Sequence, residues 1–145
     1  MTAANSVKPL HIVLTKRYRF AASHRLHNPA FSEDENWRVY GKCNNPYGHG
    51  HNYTVEVSVS GPVDPGTGMV THLGELDGFV EREVLEVFDH RNLNEEVPAF
   101  RGRVPTTENL CIEIYNRLRA FPSAHVERIR VEETGLNSFE YAGGA

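Results

Sequence analysis

Long apolar runs are missing from this 145-residue chain. The longest cover only a few residues, far short of the ~20 that a membrane span needs, so no membrane partner is expected. The first twenty residues, MTAANSVKPLHIVLTKRYRF, hold no apolar stretch of the ~7–15 residues that an export signal requires. A cytoplasmic location is expected on that ground. A basic excess is also missing: 15 Lys and Arg stand against 19 Asp and Glu, a formal charge of −4. With no basic run, nucleic acid is not an expected partner. Cysteine is scarce. Cys43 and Cys111 suffice for one bridge but not for a disulfide framework, and reduced thiols are expected. At 39% hydrophobic and 23% charged residues the chain is of globular composition. Histidine, by contrast, is abundant, with eight in the chain.

No repeat, low-complexity tract or linker divides the sequence, which reads as one domain over residues 1–145 with residues 1–10 as a flexible tail. From about His11 to Leu26 the residues alternate with period 2, placing Ile12, Leu14, Tyr18, Phe20, Ala22, His24 and Leu26 on one face. A second strand, about His49 to Ser60, sets His49, His51, Tyr53, Val55, Val57 and Val59 against Asn52, Thr54, Glu56, Ser58 and Ser60. That polar face either meets water or lines an assembly of several sheets. Between the strands lies a loop over 28–48, with a helical turn near Glu33–Val39. A helix is predicted from Leu73 to Phe88 on the stripe Leu73, Leu76, Val80, Val84 and Val87. A second, from Glu108 to Ala120, carries Leu110, Ile114, Leu118 and Phe121, with Thr106 or Thr107 as N-cap. The chain ends in a hairpin, His125–Thr134 and Ser138–Ala142. The expected fold is α+β, in the order β-β-α-α-β-β, with four antiparallel strands and two helices on one face.

His49 and His51 stand at i and i+2, on one face of a strand, and His24 has the same inward parity on the neighbouring strand. A buried imidazole needs a hydrogen-bond partner or a metal. Three that converge favour a metal, and zinc suits neutral imidazoles, although iron, nickel and copper share that ligand type. Three protein ligands leave the fourth position to water or substrate, the catalytic arrangement. Gly50 is expected to keep the backbone clear beside the ion. His11, His27, His72 and His125 fall at element ends and are expected to be solvated.

Cys43 lies in a polar loop just before the second strand. Lys42 and a nearby dication would favour its thiolate; alternatively it is a fourth ligand that closes the site. Cys111 fits a buried, inert role. Asp89-His90 follows the first long helix, where a carboxylate can orient an imidazole as a general base. Glu133 continues the inward parity of Ile129 and Val131. Such a carboxylate needs a partner, here a bound cationic or amide-like group.

Six stretches together resemble the 6-pyruvoyl-tetrahydropterin synthase family: Phe20–Leu26, Gly41–Tyr53, Asp64–Val70, Asp89–Asn94, Pro105–Leu110 and Glu133-Thr134. The match runs from about residue 12 to Tyr141. Departures are small: Ala21 and Pro105 stand where Ser is frequent, and a Gly-Leu-Asn turn follows Thr134. None removes a named catalytic group.

The resemblance implies a tunnelling fold, in which three subunits close a barrel and two trimers stack into a homohexamer with active sites at subunit interfaces. It implies one zinc per subunit on His24, His49 and His51, Cys43 as proton acceptor, and Asp89 and His90 in its activating relay. Glu133 would anchor the pterin ring, near Thr106, Thr107 and Glu108. The implied reaction is a lyase step of tetrahydrobiopterin biosynthesis, from 7,8-dihydroneopterin triphosphate to 6-pyruvoyl-tetrahydropterin and triphosphate. It needs no redox cofactor, because the ring is reduced as the side-chain carbinols are oxidised. Lys42, Arg17 and Arg25 are available as phosphate partners. A related branch, the 6-carboxy-tetrahydropterin synthases of deazaguanine biosynthesis, usually has Cys-x3-His-x-His. Cys43-x5-His49-x-His51 follows the biopterin-forming pattern instead. A non-catalytic zinc or pterin-binding module is the rival of another class.

Overall fold

The computed structural model describes residues 11–144; the expected tail over 1–10 lies outside them. Two fourteen-residue strands, β1 (His11–His24) and β2 (His49–Pro62), pair antiparallel along their whole length, from His11↔Pro62 to His24↔His49. The alternation in their sequences sets this register, since a one-residue slip would turn every inward side chain outward. β4 (His125–Thr134) adds to β2, and β5 (Asn137–Tyr141) adds to β4, both antiparallel. The sheet is five-stranded rather than four-stranded. Arg91–Asn92 forms a short β3, parallel to β1 at Ala22 and Ser23, giving the order β3-β1-β2-β4-β5. Two residues carry no alternation, so tertiary placement alone makes this strand.

Between β1 and β2, α1 (Glu33–Tyr40) is capped by Ser32, whose hydroxyl accepts from the Glu35 N–H, and passes into a 3-10 turn, Gly41–Asn44. The expected helix over Leu73–Phe88 is a single rod with a wide turn in its middle: α2 (Leu73–Val80), a π segment (Glu81–Leu85) and α3 (Glu86–Phe88). Its buried positions are Leu76, Val80, Val84 and Phe88, spaced by four, while Leu73 is exposed. Over twelve residues an α-helix would carry such a stripe about 120° off its face. The π turn brings Phe88 back toward the core. After α4 (Leu93–Glu96), α5 (Thr107–Leu118) starts on Thr106, whose hydroxyl accepts from Asn109 N–H, and buries Leu110, Ile114 and Leu118. Both long helices pack on the face of the sheet that carries Phe20, Tyr53, Val55, Val57, Val59, Ile129 and Val131.

The polar face of β2 is exposed at Asn52 but covered by its neighbours from Glu56 to Ser60. Glu56 is buried between Arg17 (3.1 Å) and Arg130 (2.7 Å), and Ser58 hydrogen-bonds Thr15 at 2.7 Å. No described helix is long and apolar enough to cross a membrane.

Candidate active site

The last residues of β1 and the first of β2 bring three imidazoles together. His24 and His49 are directly paired across the ladder and His51 lies opposite Ala22, so all three share the inner face. One ring nitrogen from each lies within 4.8 Å of the others. His24 is buried and donates Nδ1–H to the Pro105 carbonyl at 2.7 Å. A carbonyl only accepts, so the proton sits on Nδ1 and the lone pair on Nε2. That Nε2 lies 3.1 Å from Nε2 of His49, close to the roughly 3.3 Å that zinc–nitrogen bonds of 2.0–2.1 Å impose at a tetrahedral ion. A hydrogen bond between the two rings would account for that distance alone. It does not account for His51, whose Nε2 is buried with no hydrogen-bond partner among the described residues. An orphan of this kind costs on the order of 1–3 kcal/mol unless a ligand takes its lone pair. Burial holds both His24 and His51 below the ordinary imidazole range, despite the raising pull of the Pro105 carbonyl on one and of Glu133 on both. Neutral rings are the state that binds a metal. The residues present therefore fit a borderline transition-metal ion, whereas calcium and magnesium take oxygen ligands.

Glu133 stands beside this cluster, its Oε2 3.9 Å from His51 Nε2. The pairing of β4 with β5 passes from Glu132↔Ser138 to Thr134↔Asn137, leaving Glu133 as the extra residue of a β-bulge. Its carboxylate accepts from the Thr107 hydroxyl and from Asn137 Nδ2 at 3.2 Å. Burial would raise its pKa, but these bonds and the nearby histidines bring it below the ordinary carboxylate value. Glu133 thus stays an ionised acceptor on the inner face. Thr106 caps α5 and Glu108 is exposed in the same turn, so of these three residues Thr107 is the one that touches Glu133.

Cys43 occupies the 3-10 turn, half-buried, and its carbonyl accepts from Leu26 N–H at 2.9 Å. It is not a member of the imidazole cluster, and its thiol hydrogen-bonds no described residue. Asp89 and His90 lie together at the β1 edge, with Oδ1 and Nδ1 3.0 Å apart. The Ala21 N–H donates to Asp89 at 2.9 Å and holds its carboxyl below the ordinary range. His90 is exposed at φ 60, a left-handed conformation uncommon for a side-chain-bearing residue, and its N–H binds the Ala21 carbonyl at 2.6 Å. The pair does not hydrogen-bond Cys43 within the chain.

Sequence reasoning missed three supports: the Pro105 carbonyl that sets the tautomer of His24, Asn137 on Glu133, and Gly48. A Cβ on Gly50 would lie 3.6 Å from the Ala22 carbonyl oxygen, an ordinary contact, so no described protein atom requires a glycine there. Gly48 is the constrained glycine. Its φ is +73, and a Cβ there would sit 3.0 Å from the His24 carbonyl oxygen. His27 is also less solvated than expected, its Nδ1 lying 2.9 Å from Asn44 Nδ2. Cys111 is buried as expected, its thiol pushed up to about 12 by burial.

Comparison with known proteins gives concordant results. The family model described as 6-pyruvoyl tetrahydropterin synthase matches residues 13–144. The 6-pyruvoyl tetrahydrobiopterin synthase of Poecilia reticulata is 48% identical over 131 residues, covering 90% of this chain and 89% of the relative. The Homo sapiens protein of the same name is 43% identical, with 90% of each chain covered. The solved structure of Caenorhabditis elegans 6-pyruvoyl tetrahydropterin synthase superposes with a TM-score of 0.90 at 38% identity, covering 95% of this chain and 99% of that one.

Proposed function

The chain belongs to the 6-pyruvoyl tetrahydropterin synthase family, and on that premise we propose that it is a zinc-dependent lyase. It converts 7,8-dihydroneopterin triphosphate to 6-pyruvoyl-tetrahydropterin with release of triphosphate, a step of tetrahydrobiopterin biosynthesis. The observation that carries this reading is the unpartnered Nε2 of His51, converging with two other imidazole nitrogens beside an ionised Glu133.

His24, His49 and His51 would hold the zinc, which when bound polarises the substrate's side-chain oxygens and acidifies the adjoining C–H bonds. Glu133, oriented by Thr107 and Asn137, accepts hydrogen bonds from the amino and amide N–H groups of the pterin ring and so fixes the side chain at the metal. Cys43, whose thiol has no hydrogen bond to a described residue to give up, takes the proton from carbon as thiolate. Asp89 orients His90 through Nδ1 and leaves Nε2 to exchange protons with a thiol. Within one chain that pair faces outward from the β1 edge, so the relay is assembled with the Cys43 of a neighbouring subunit. Triphosphate departs by elimination as the ring is reduced and the side chain oxidised, so no external redox cofactor takes part.

The same reading makes the working form a homohexamer of two stacked trimers, with sheets joined edge to edge into a barrel and 1–145 as one tunnelling-fold domain. Support comes from the open edges of the sheet and from Ile12 and Val13, which are 50% and 55% exposed on β1. A cytoplasmic location accords with the two free thiols. Incubation with dihydroneopterin triphosphate, following triphosphate release and product mass, tests the reaction. A pyruvoyl product is expected. A carboxy product would move the chain to the deazaguanine branch, and pterin binding without turnover would make it a binding module.

A further inference from the structure

A cavity separate from the imidazole cluster opens beside it, with Arg25, His27, Gly48, Glu95, Arg101 and Arg103 in its wall. Three wall segments run directly into the metal site. Arg25 follows His24, Gly48 precedes His49, and Val104, also in the wall, precedes the Pro105 whose carbonyl holds His24. The cavity is thus covalently continuous with the chemistry, and its charge is predominantly positive.

The three arginines are not equivalent. Arg103 is paired with Glu113 at 2.9 Å. Arg25 and Arg101 form no ion pair with a described carboxylate. Arg25 is nonetheless held in place: Asn94 clamps its backbone by bonds of 2.7 and 2.9 Å, and its Nε donates to the Asn44 carbonyl at 2.9 Å. That leaves the rest of its guanidinium fork for a ligand. His27 accepts on Nδ1 from the Asn44 amide, which places its proton on Nε2 as a further donor. Glu95 is the opposing charge in the wall. Of the bases foreseen from sequence, Arg17 is committed to Glu56 instead.

We propose that this cavity binds the polyphosphate chain of the substrate, with Arg25 and Arg101 as its charge-bearing contacts and His27 Nε2–H as an additional donor. A polyphosphate offers clustered oxygens that match guanidinium forks, and a chain reaching from a side chain held at the metal enters the cavity next to it. The assignment rests on the synthase reading for the substrate's identity, but binding can be measured without turnover.

The test is calorimetric titration of the metal-loaded protein with inorganic triphosphate and, separately, with neopterin, which lacks phosphate. Arg101→Gln is expected to weaken triphosphate binding about tenfold and Glu95→Gln to tighten it, with neopterin affinity unchanged in both. Arg25→Lys, which keeps the charge but loses the fork, guards against a misfolded variant and is expected to weaken triphosphate binding as well. In kinetics, Arg101→Gln raises KM for dihydroneopterin triphosphate and leaves kcat in place. Wild-type triphosphate affinity in both arginine variants would overturn the proposal, as would an unchanged KM alongside Arg101-dependent binding of free triphosphate. Absence of a pyruvoyl product with Arg101-dependent binding intact would overturn the synthase reading and leave the anion cavity standing.

Discussion

Three glycines within ten residues of one another separate backbone strain from crowding at the metal site. Gly41 has φ +57 with nothing near a built Cβ, Gly48 has φ +73 with the His24 carbonyl oxygen at 3.0 Å, and Gly50 meets only an ordinary contact at 3.6 Å. With ψ −131, Gly41 lies outside the left-handed helical well, so Gly41→Ala incurs a backbone penalty alone, roughly 1–3 kcal/mol. Gly48→Ala adds the displacement of a strand end that carries two imidazoles, bringing the total to about 3 kcal/mol. For a domain of this size that corresponds to roughly 6–12 °C in Tm. Gly50→Ala stays within about 0.5 kcal/mol of the parent. Because the Gly48 contact falls on the carbonyl of a ligand residue, zinc affinity measured by chelator competition drops about tenfold in Gly48→Ala but not in Gly41→Ala. Equal Tm and equal zinc affinity in Gly48→Ala and Gly50→Ala would refute the reasoning.

Other expectations follow from the same geometry. Thr107→Val removes a hydroxyl donor from Glu133, so the depressed carboxyl pKa moves back up toward its ordinary value; the acid limb of kcat/KM shifts to higher pH and KM for the pterin rises. Cys43→Ala abolishes turnover while zinc content and assembly persist, as checked by metal analysis and light scattering; full turnover in this variant would remove the thiol from the mechanism. The chelated protein loses stability as pH falls below the ordinary imidazole value of 6.5, because the unfolded chain binds protons there that buried His24 and His51 refuse. A Tm of the chelated protein that stays flat as the pH is lowered through that value would contradict the neutral state assigned to these rings.

The parts of this protein legible in its sequence are those where a side-chain period maps directly onto a buried face. The alternation in β1 and β2 placed His24, His49 and His51 together, since parity and pairing leave few alternatives for two long neighbouring strands. The stripe of α5 was legible for the same local reason, and its cap was narrowed to Thr106 or Thr107, of which Thr106 is the one used. The π turn between α2 and α3 carried a signal, a strict spacing of four from Leu76 to Phe88, but a helical stripe is usually read with more tolerance than that. β3 and α4 are too short to have a period. The inward parity of Glu133 could be seen, whereas the bulge that aims it and the Asn137 amide that holds it arise from strand pairing. The crowding of Gly48 could not be read from the sequence, because its contact with the His24 carbonyl is set by the fold and not by sequence adjacency. The relay proposed between Asp89, His90 and Cys43 is invisible to periodicity, as none of the three lies on a patterned face.

Zinc content and ligand shell bear most directly on the account. Elemental analysis of the purified protein should find one zinc per chain, lost in His51→Ala. X-ray absorption at the metal should show nitrogen and oxygen at about 2.0–2.1 Å and no sulfur. A protein with no stoichiometric metal, or a sulfur ligand at about 2.3 Å marking Cys43 as a closing donor, would contradict the open three-imidazole site on which the chemistry depends.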